Sequence, residues 1–203
     1  MRVIAGHYRG RLLIPPPTDN TRPILDRVKV SLFDWLGSML AQPGALPPLA
    51  VLDLFCGTGS LGIEALSRGA DYCTFVEKDR PTARCLQQNL DTLGVSPSHF
   101  RLLTESAEHI RCAPPKHPEG YDLIFLDPPY ALSEDDRPDS LMPRILRRLG
   151  DQVPVSTNAV ALWRTDGHVF VPQFLPQGWH SSERRVWGSM AVTLLTRSPQ
   201  VPS

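Results

Sequence analysis

The sequence lacks the long apolar runs that mark membrane proteins and exported precursors. None reaches the roughly 18 residues that a membrane-spanning helix needs, so we expect no membrane segment. Residues 1–6 do not form the apolar segment of a signal peptide. We therefore expect a protein that is not exported.

The chain is also poor in cysteine. Its four cysteines are Cys56, Cys73, Cys85 and Cys112. No two of them have CxxC spacing, which argues against a zinc centre and against a disulfide framework. We expect no bound metal, and the reducing cytoplasm is the expected location.

Net charge is absent as well, because 21 basic residues balance 21 acidic residues in a chain of 203. The basic residues are nevertheless concentrated near the start, and a local positive patch is sufficient to bind phosphate. The candidate RNA contacts in this region are Arg9, Arg11, Arg22, Arg27 and Lys29. The same charges could instead form an ordinary solvated surface, or Arg22 and Arg27 could pin the N-terminal segment over a binding pocket.

The N-terminal region, residues 1–25, is predicted to be a small extension. Two short apolar stretches, residues 2–5 and 11–14, flank a turn and indicate a β-hairpin. Asp26 is then placed to cap a helix. Apolar residues recur in that helix at helical spacing, which predicts one buried stripe. The stripe is made of Val28, Leu32, Trp35, Leu36 and Met39.

From residue 49 onward, strands and helices alternate. The predicted strands are residues 49–54, 72–76, 100–103 and 121–126. The predicted helices are residues 60–68, 81–93, 105–111 and 140–149. This alternation predicts an α/β fold with a mostly parallel sheet and helices on both faces. Strands at 159–163, 169–171 and 190–196 follow with little helix between them and predict an antiparallel edge. Residues 198–203 are expected to be a loose tail.

A glycine-rich loop joins the first core strand to its helix, at the strand end where open α/β sheets bind ligands. It contains Gly57, Gly59 and Gly62, whose spacing also fits the dinucleotide pattern GxGxxG. Asp53 argues against a dinucleotide, because a carboxylate beside a helix start disfavours a pyrophosphate. S-adenosylmethionine has no phosphate and carries a cationic amino group and a sulfonium, which an acid suits. Glu77 ends the next strand, within reach of ribose hydroxyls.

The fourth strand runs into Asp127-Pro128-Pro129-Tyr130. The two prolines stiffen the backbone and remove N–H donors, which leaves carbonyls as acceptors. Asp127 and the Pro128 carbonyl can accept hydrogen bonds from the amino group of a base, and Tyr130 can stack on its ring. Such acceptors orient the lone pair of a weak amine nucleophile toward a methyl donor. The motif therefore predicts methylation of an exocyclic amine.

Several blocks of the sequence together resemble one family. These blocks are RVIAGHYRGR at 2–11, TRP at 21–23, DRVK at 26–29, LFDWL at 32–36, DLFCGTG at 53–59, GIEALSRGA at 62–70, VE at 76–77 and DPPY at 127–130. They resemble the RsmD family within the Rossmann-like methyltransferases. The resemblance is good over residues 2–150, and the N-terminal block is its most specific part, because generic methyltransferases lack it. Members of that family methylate guanine N2 in bacterial small-subunit ribosomal RNA.

The resemblance implies a Rossmann-like methyltransferase domain at residues 26–197 that uses S-adenosylmethionine. The implied cofactor contacts are Asp53, Phe55, Gly57, Gly59, Glu77, Lys78, Ser106 and Ala107. The implied catalytic residues are Asp127, Pro128, Pro129 and Tyr130. The implied partner is ribosomal RNA, either free or within an assembled small subunit, and the chain is expected to act as a monomer.

The chain departs from the family pattern at Ile24, Val30 and Ser106, and at a late strand end where the family's acid is replaced by Trp163-Arg164-Thr165. Two alternatives stay open. One is an amino-methyltransferase for adenine in DNA or glutamine in protein, and the basic N-terminal block and the small size favour RNA over both. The other is a non-catalytic RNA-binding assembly factor, against which the intact Asp127–Tyr130 motif argues.

Overall fold

The computed structural model describes residues 1–17, 24–40, 42–114, 117, 119–135, 137–169 and 175–197. Its strands are β1 (Ala50–Leu54), β2 (Tyr72–Val76), β3 (Phe100–Leu103), β4 (Tyr121–Leu126), β5 (Val155–Asp166), β6 (Trp179–Trp187) and β7 (Met190–Arg197). In the described chain they form one sheet in the order β3-β2-β1-β4-β5-β7-β6. Strands β1 to β5 are parallel, and β7 lies antiparallel between β5 and β6. The predicted sheet with an antiparallel edge is confirmed.

Helices cover both faces of this sheet, as predicted. They are α1 (Asp26–Met39), α2 (Ser60–Arg68), α3 (Arg80–Leu93), α4 (Tyr130–Ser133) and α5 (Leu141–Asp151). The apolar side chains of α1, α2 and α3 pack into one core with the first face of the sheet. Those of α5 pack into a second core with the opposite face.

The alternation of side chains along β1 decides which residues reach the first core. Val51 packs there, whereas Leu52 and Leu54 pack into the second core. Asp53 shares the face of Val51, because successive side chains of a strand point to opposite sides. Its carboxylate therefore lies beneath the start of α2, where the Gly62 N–H donates to it at 2.8 Å.

The predicted N-terminal hairpin is present in a short form. A single antiparallel bridge joins Arg2 and Leu12, and the Val3 N–H donates to the Arg11 carbonyl at 3.0 Å. Val3 and Leu13 are buried in the same core as α1 to α3. Packing against this core holds the hairpin on the main sheet.

The start of α1 differs from the prediction. Leu25, which makes no side-chain cap, is the residue before the helix, and Asp26 is its first residue. The Asp26 carboxylate instead accepts from Arg2 Nε at 2.8 Å, so the predicted cap is wrong. Trp35 is in the core as predicted, whereas Met39 at the last position of the helix is 38% exposed.

The predicted helix at 105–111 is also wrong. This segment makes one turn, in which the His109 N–H donates to the Ser106 carbonyl, and residues 110–114 after it have no regular secondary structure. Ile110 and Cys112 are both buried in the second core. Residues two apart point in different directions on a helix, so the burial of both side chains in one core does not favour a helix here.

The C-terminal part has longer strands than predicted. β5 extends in both directions beyond the predicted residues 159–163, and β6 and the short helix α4 were not predicted. In the predicted strand at 169–171, Val169 lies in a turn and donates to the Asp166 carbonyl; the other two positions lie outside the described residues. The predicted tail at 198–203 lies outside them as well. Within the described part, no helix is long and apolar enough to cross a membrane.

Candidate active site

A cavity of about 830 Å³ opens at the carboxyl ends of the central parallel strands. It is lined from β1 and its loop by Asp53 and Gly57, from β2 by Glu77, from β4 by Asp127 and from β5 by Arg164. Parallel strands bring their carboxyl ends to one edge of the sheet, and this edge is where such folds bind ligands. Residues that are far apart in the sequence therefore meet in one cavity.

The loop after β1 follows an unusual backbone path. Phe55 has a φ of 61°, which is rare for a residue with a side chain, and Gly57 has a φ of 57°. A side-chain carbon added at Gly57 would meet no atom within 4 Å, so it would project into open space. Phe55 and Gly57 both line the cavity. Strained backbone of this kind is typical of a ligand-binding loop.

Gly59 packs against α3, and its predicted cofactor contact stays a prediction. It is not among the residues that line the cavity. A side-chain carbon at Gly59 would overlap Leu86 on α3, and Gly59 precedes α2 in a left-handed conformation with a φ of 85°. Gly59 therefore permits close packing between the loop and α3.

Asp53 presents a buried oxygen without a protein partner. Its side chain accepts from Gly62 through Oδ2, but among the described residues none donates a hydrogen bond to Oδ1. The pKa of Asp53 is raised to about 8, chiefly by burial and to a smaller extent by the charges of Asp127 and Glu77, while the hydrogen bond from Gly62 lowers it. A cationic or N–H-bearing ligand group in the cavity would satisfy this oxygen and favour its charged form.

Glu77 braces the glycine loop from the end of β2. Its Oε2 accepts from the Gly57 N–H at 3.0 Å, and its Oε1 accepts from the Asp79 N–H at 2.8 Å. Each carboxylate oxygen has a second lone pair that remains available for a ribose hydroxyl. The predicted contacts Lys78, Ser106 and Ala107 also line this part of the cavity.

The charge of the cavity fits S-adenosylmethionine better than a phosphate-bearing cofactor. In the described chain the acidic lining residues are Asp53, Glu77, Asp79, Glu105, Glu108, Asp127 and Asp166, and the cationic ones are Lys78 and Arg164. An acidic cavity attracts a sulfonium and an ammonium group and repels a pyrophosphate. With the open space at Gly57 and the free Oδ1 of Asp53, these residues fit S-adenosylmethionine.

The Asp127-Pro128-Pro129 segment lies at the other end of the same cavity. Asp127 and both prolines line it, and the Asp127 side chain is 21% exposed. Burial raises the pKa of Asp127, whereas the charge of Arg164 lowers it. Tyr130 is the first residue of α4, but its side chain lies outside the described part, so stacking by Tyr130 stays a prediction.

Arg164 is a site residue that the sequence analysis did not include. Arg164 Nε lies 2.8 Å from Asp127 Oδ1, and the Arg164 side chain is only 12% exposed. The available signal was the replacement of a family acid by arginine at this strand end. The contact itself could not be predicted, because it depends on the pairing of β4 with β5.

The predicted RNA contacts divide into two groups. Arg9, Arg11 and Arg27 are exposed, and Arg22 lies outside the described residues. Lys29 is fully buried and pairs with Glu64. The prediction that Lys29 contacts RNA is therefore wrong, because its ammonium group cannot reach a phosphate.

Comparison with known proteins decides the family. The family model described as "Conserved hypothetical protein 95", which is that of the RsmD methyltransferases, matches residues 1–196. The chain belongs to the RsmD family. It is thus a methyltransferase that uses S-adenosylmethionine. The match includes the N-terminal hairpin, which agrees with the resemblance found in residues 2–11.

RsmD-family relatives from two bacteria align over most of the chain. Ribosomal RNA small subunit methyltransferase D of Haemophilus influenzae is 39% identical over 142 residues, which cover 70% of this chain and 70% of that one. The protein of the same name from Escherichia coli K12 is 30% identical over 200 residues, 98% of this chain and 91% of that one.

Solved structures agree with the RsmD-family fold. The structure of a candidate methyltransferase, yhhF from Escherichia coli, matches with a TM-score of 0.77 at 28% identity and covers 98% of this chain and 99% of that one. A candidate methylase from Haemophilus influenzae, HI0767, matches with a TM-score of 0.71 at 31% identity over 98% of both chains.

Proposed function

We propose that the protein methylates the exocyclic N2 amino group of a guanine in small-subunit ribosomal RNA. The observation that carries the proposal is the position of the Asp127 carboxylate, which lines the same cavity as Asp53 and the glycine loop. The names of the Haemophilus influenzae and Escherichia coli relatives support ribosomal RNA as the substrate class.

The reaction needs help because the lone pair of an exocyclic amine is delocalised into the ring. S-adenosylmethionine, when bound, supplies an electrophilic methyl group. Asp127 accepts a hydrogen bond from the amine, which favours a more pyramidal nitrogen with a less delocalised lone pair, and it stabilises the positive charge that grows on nitrogen. Pro128 has no N–H that could compete for the same carboxylate, and its carbonyl offers a second acceptor.

Access to the cavity requires an unpaired base. The target amine lies on the edge of guanine that pairing buries in a duplex, so the nucleotide must be single-stranded or flipped before it enters. The basic residues Arg9, Arg11 and Arg27 are exposed and supply candidate phosphate contacts for the surrounding RNA.

Single-turnover methyl transfer to RNA tests the role of Asp127. Asp127→Asn should lose on the order of a hundredfold or more in rate, comparable to the loss of one preorganised electrostatic contact. The effect should fall on kcat far more than on KM, because the hydrogen bond strengthens in the transition state. Asp91→Asn is the matched control, since Asp91 is exposed near the end of α3, outside the cavity.

Mapping of the methylated nucleotide tests the target. RNA from cells with and without the protein should differ at one guanine N2 of the small subunit. Comparing free RNA with small-subunit particles as substrates shows which form is used. The proposal would be contradicted if the methylated group were adenine N6, a base in DNA or a glutamine side chain and not guanine N2. It would also be contradicted if the Asp127→Asn enzyme retained the wild-type rate.

A further inference from the structure

Two residues near the carboxyl end of β5 contact the stretch 127–133, which contains the Asp127-Pro128-Pro129 segment and α4, one at each end of the stretch. At one end Arg164 Nε lies 2.8 Å from Asp127 Oδ1. At the other end Trp163 Nε1 donates to Ser133 Oγ, at the close of α4, at 3.4 Å. Two consecutive residues of β5, with side chains on opposite faces of the sheet, therefore contact residues 127 and 133.

Strand register makes the contact between Asp127 and Arg164 a cross-strand pair. Phe125 lies opposite Leu162, and Leu126 lies opposite Trp163. Asp127 is the residue after β4, and one further step brings it opposite Arg164, on the same face of the sheet as Asp53. The contact thus joins the first residue after β4 to a residue within β5, and the register of the two strands places them side by side.

The cavity around Asp127 and Arg164 contains several acidic side chains and few cations. Asp53 lines the same cavity from β1. Glu77 from β2 and Asp166 from β5 add acidic groups to the cavity, whose only other cation in the described chain is Lys78. Burial disfavours the charged form of the Asp127 carboxylate and raises its pKa, and the guanidinium of Arg164 opposes that effect.

We propose that Arg164 is a positioning residue, which holds the Asp127 carboxylate as an anionic hydrogen-bond acceptor in a fixed orientation. The inference rests on the proposed function, because it assumes that Asp127 accepts from the target amine. Direct contact between Arg164 and an RNA phosphate is the less favoured role, since its side chain is only 12% exposed and its Nε faces Asp127.

The charge on Asp127 can be measured without any turnover. Carbon-13 NMR of the aspartate carboxyls, with Asp127 assigned through Asp127→Asn, follows its titration in the ligand-free protein. In the wild type Asp127 should be ionised at neutral pH, and in Arg164→Gln its titration should move to higher pH. The wild-type measurement remains available if Arg164→Gln does not fold, and an Asp127 that is protonated at neutral pH in the wild type overturns the inference.

The pH dependence of single-turnover methyl transfer gives a second readout. At pH 6 the Arg164→Gln enzyme should be about tenfold slower than the wild type, because a rise of one unit in the pKa of Asp127 lowers its ionised fraction about tenfold. The difference in rate should become smaller as the pH rises. Arg164→Lys keeps the charge and should restore most of the rate at low pH. The change in pH dependence should appear in kcat. The affinity for S-adenosylmethionine, measured by calorimetry, should not change.

Arg185→Gln is the matched control. Arg185 Nε pairs with Glu183 Oε1 at 2.7 Å on the edge strand β6, outside the cavity. It should change neither the titration of Asp127 nor the rate profile. If Arg164→Gln also changes neither, the inference is overturned, while an inactive Asp127→Asn would still support the proposed function. If Asp127→Asn is fully active, the proposed function itself fails.

Discussion

Lys29 of α1 and Glu64 of α2 form a buried ion pair, with Lys29 Nζ 3.2 Å from Glu64 Oε2 and both side chains at most 1% exposed. Lys29 also donates to the Arg2 carbonyl at 2.6 Å, and Glu64 accepts from the N–H groups of Ile4 and Ala5. Burial lowers the pKa of Lys29, and the charge of Glu64 opposes this. The pair ties the N-terminal hairpin to the two helices beneath it.

Removal of Lys29 should therefore cost stability. Lys29→Met should lower the free energy of unfolding by about 3 kcal/mol, the lower end for a broken buried pair, because Glu64 keeps its contact with Arg68 at 2.9 Å. Urea titration measures this. Arg27→Met, on the exposed side of the same helix, should change it by less than about 0.5 kcal/mol. Equal effects of the two substitutions would contradict the structural role of Lys29.

The free energy of unfolding should depend on pH because the pKa of Asp53 is raised. It is about 8 in the folded protein, against 3.8 for an ordinary aspartate. Between these values the folded state binds a proton that the unfolded state has lost. The contribution of Asp53 to stability therefore falls as the pH rises, at most by about 1.4 kcal/mol per pH unit, and levels off above pH 8. Denaturant titrations of the ligand-free protein from pH 5 to 9 should show that this decline is weaker in Asp53→Asn. An identical pH dependence in both proteins would show that Asp53 is not protonated.

Gly57 and Gly94 allow the backbone effect of a glycine to be separated from its effect on the cavity. Both have a positive φ, 57° and 71°, and a side-chain carbon at either would meet no atom within 4 Å. Gly57→Ala and Gly94→Ala should each cost about 1 kcal/mol of stability or more, because alanine is strained at such a φ. Only Gly57→Ala should weaken S-adenosylmethionine binding in calorimetry, since only Gly57 lines the cavity. Equal cofactor affinity in both variants would remove Gly57 from the proposed site.

RNA binding by the exposed arginines of the hairpin should depend on salt. Replacing Arg9 and Arg11 by alanine should weaken binding and reduce the slope of log affinity against log salt by about 0.7 to 0.9 for each lost phosphate contact. Replacing Arg101 and Arg147 changes the charge equally but at exposed positions on β3 and α5, and it should leave the slope unchanged. Equal slopes for both double variants would refute a specific role of the hairpin.

The amino-acid pattern was sufficient to predict the alternation of strands and helices and the end of the sheet at which the cavity lies. These depend on local signals: apolar runs of strand length, helices ended by Gly69 and Gly94, and motifs at the ends of strands. Where the local signal was weak, prediction failed. Most residues of the polar edge strand β6 are exposed, so its sequence lacks the regular alternation of apolar and polar residues that predicts a strand. The segment 105–111 was predicted to be a helix, but it makes a single turn, and Ile110 and Cys112 are buried in the second core.

Which charged residues belong to the site could not be predicted, because it depends on contacts between distant parts of the chain. Lys29 and Arg27 are equivalent as sequence, yet the rotation of α1 against α2 buries the former beside Glu64 and leaves the latter exposed. Arg164 is 37 residues from Asp127 along the chain, and the register of β4 against β5 places them 2.8 Å apart. The interaction between two charges depends on their distance in the folded protein, whereas sequence patterns describe only residues that are close along the chain. The partner of a buried charge is therefore fixed by packing between distant elements.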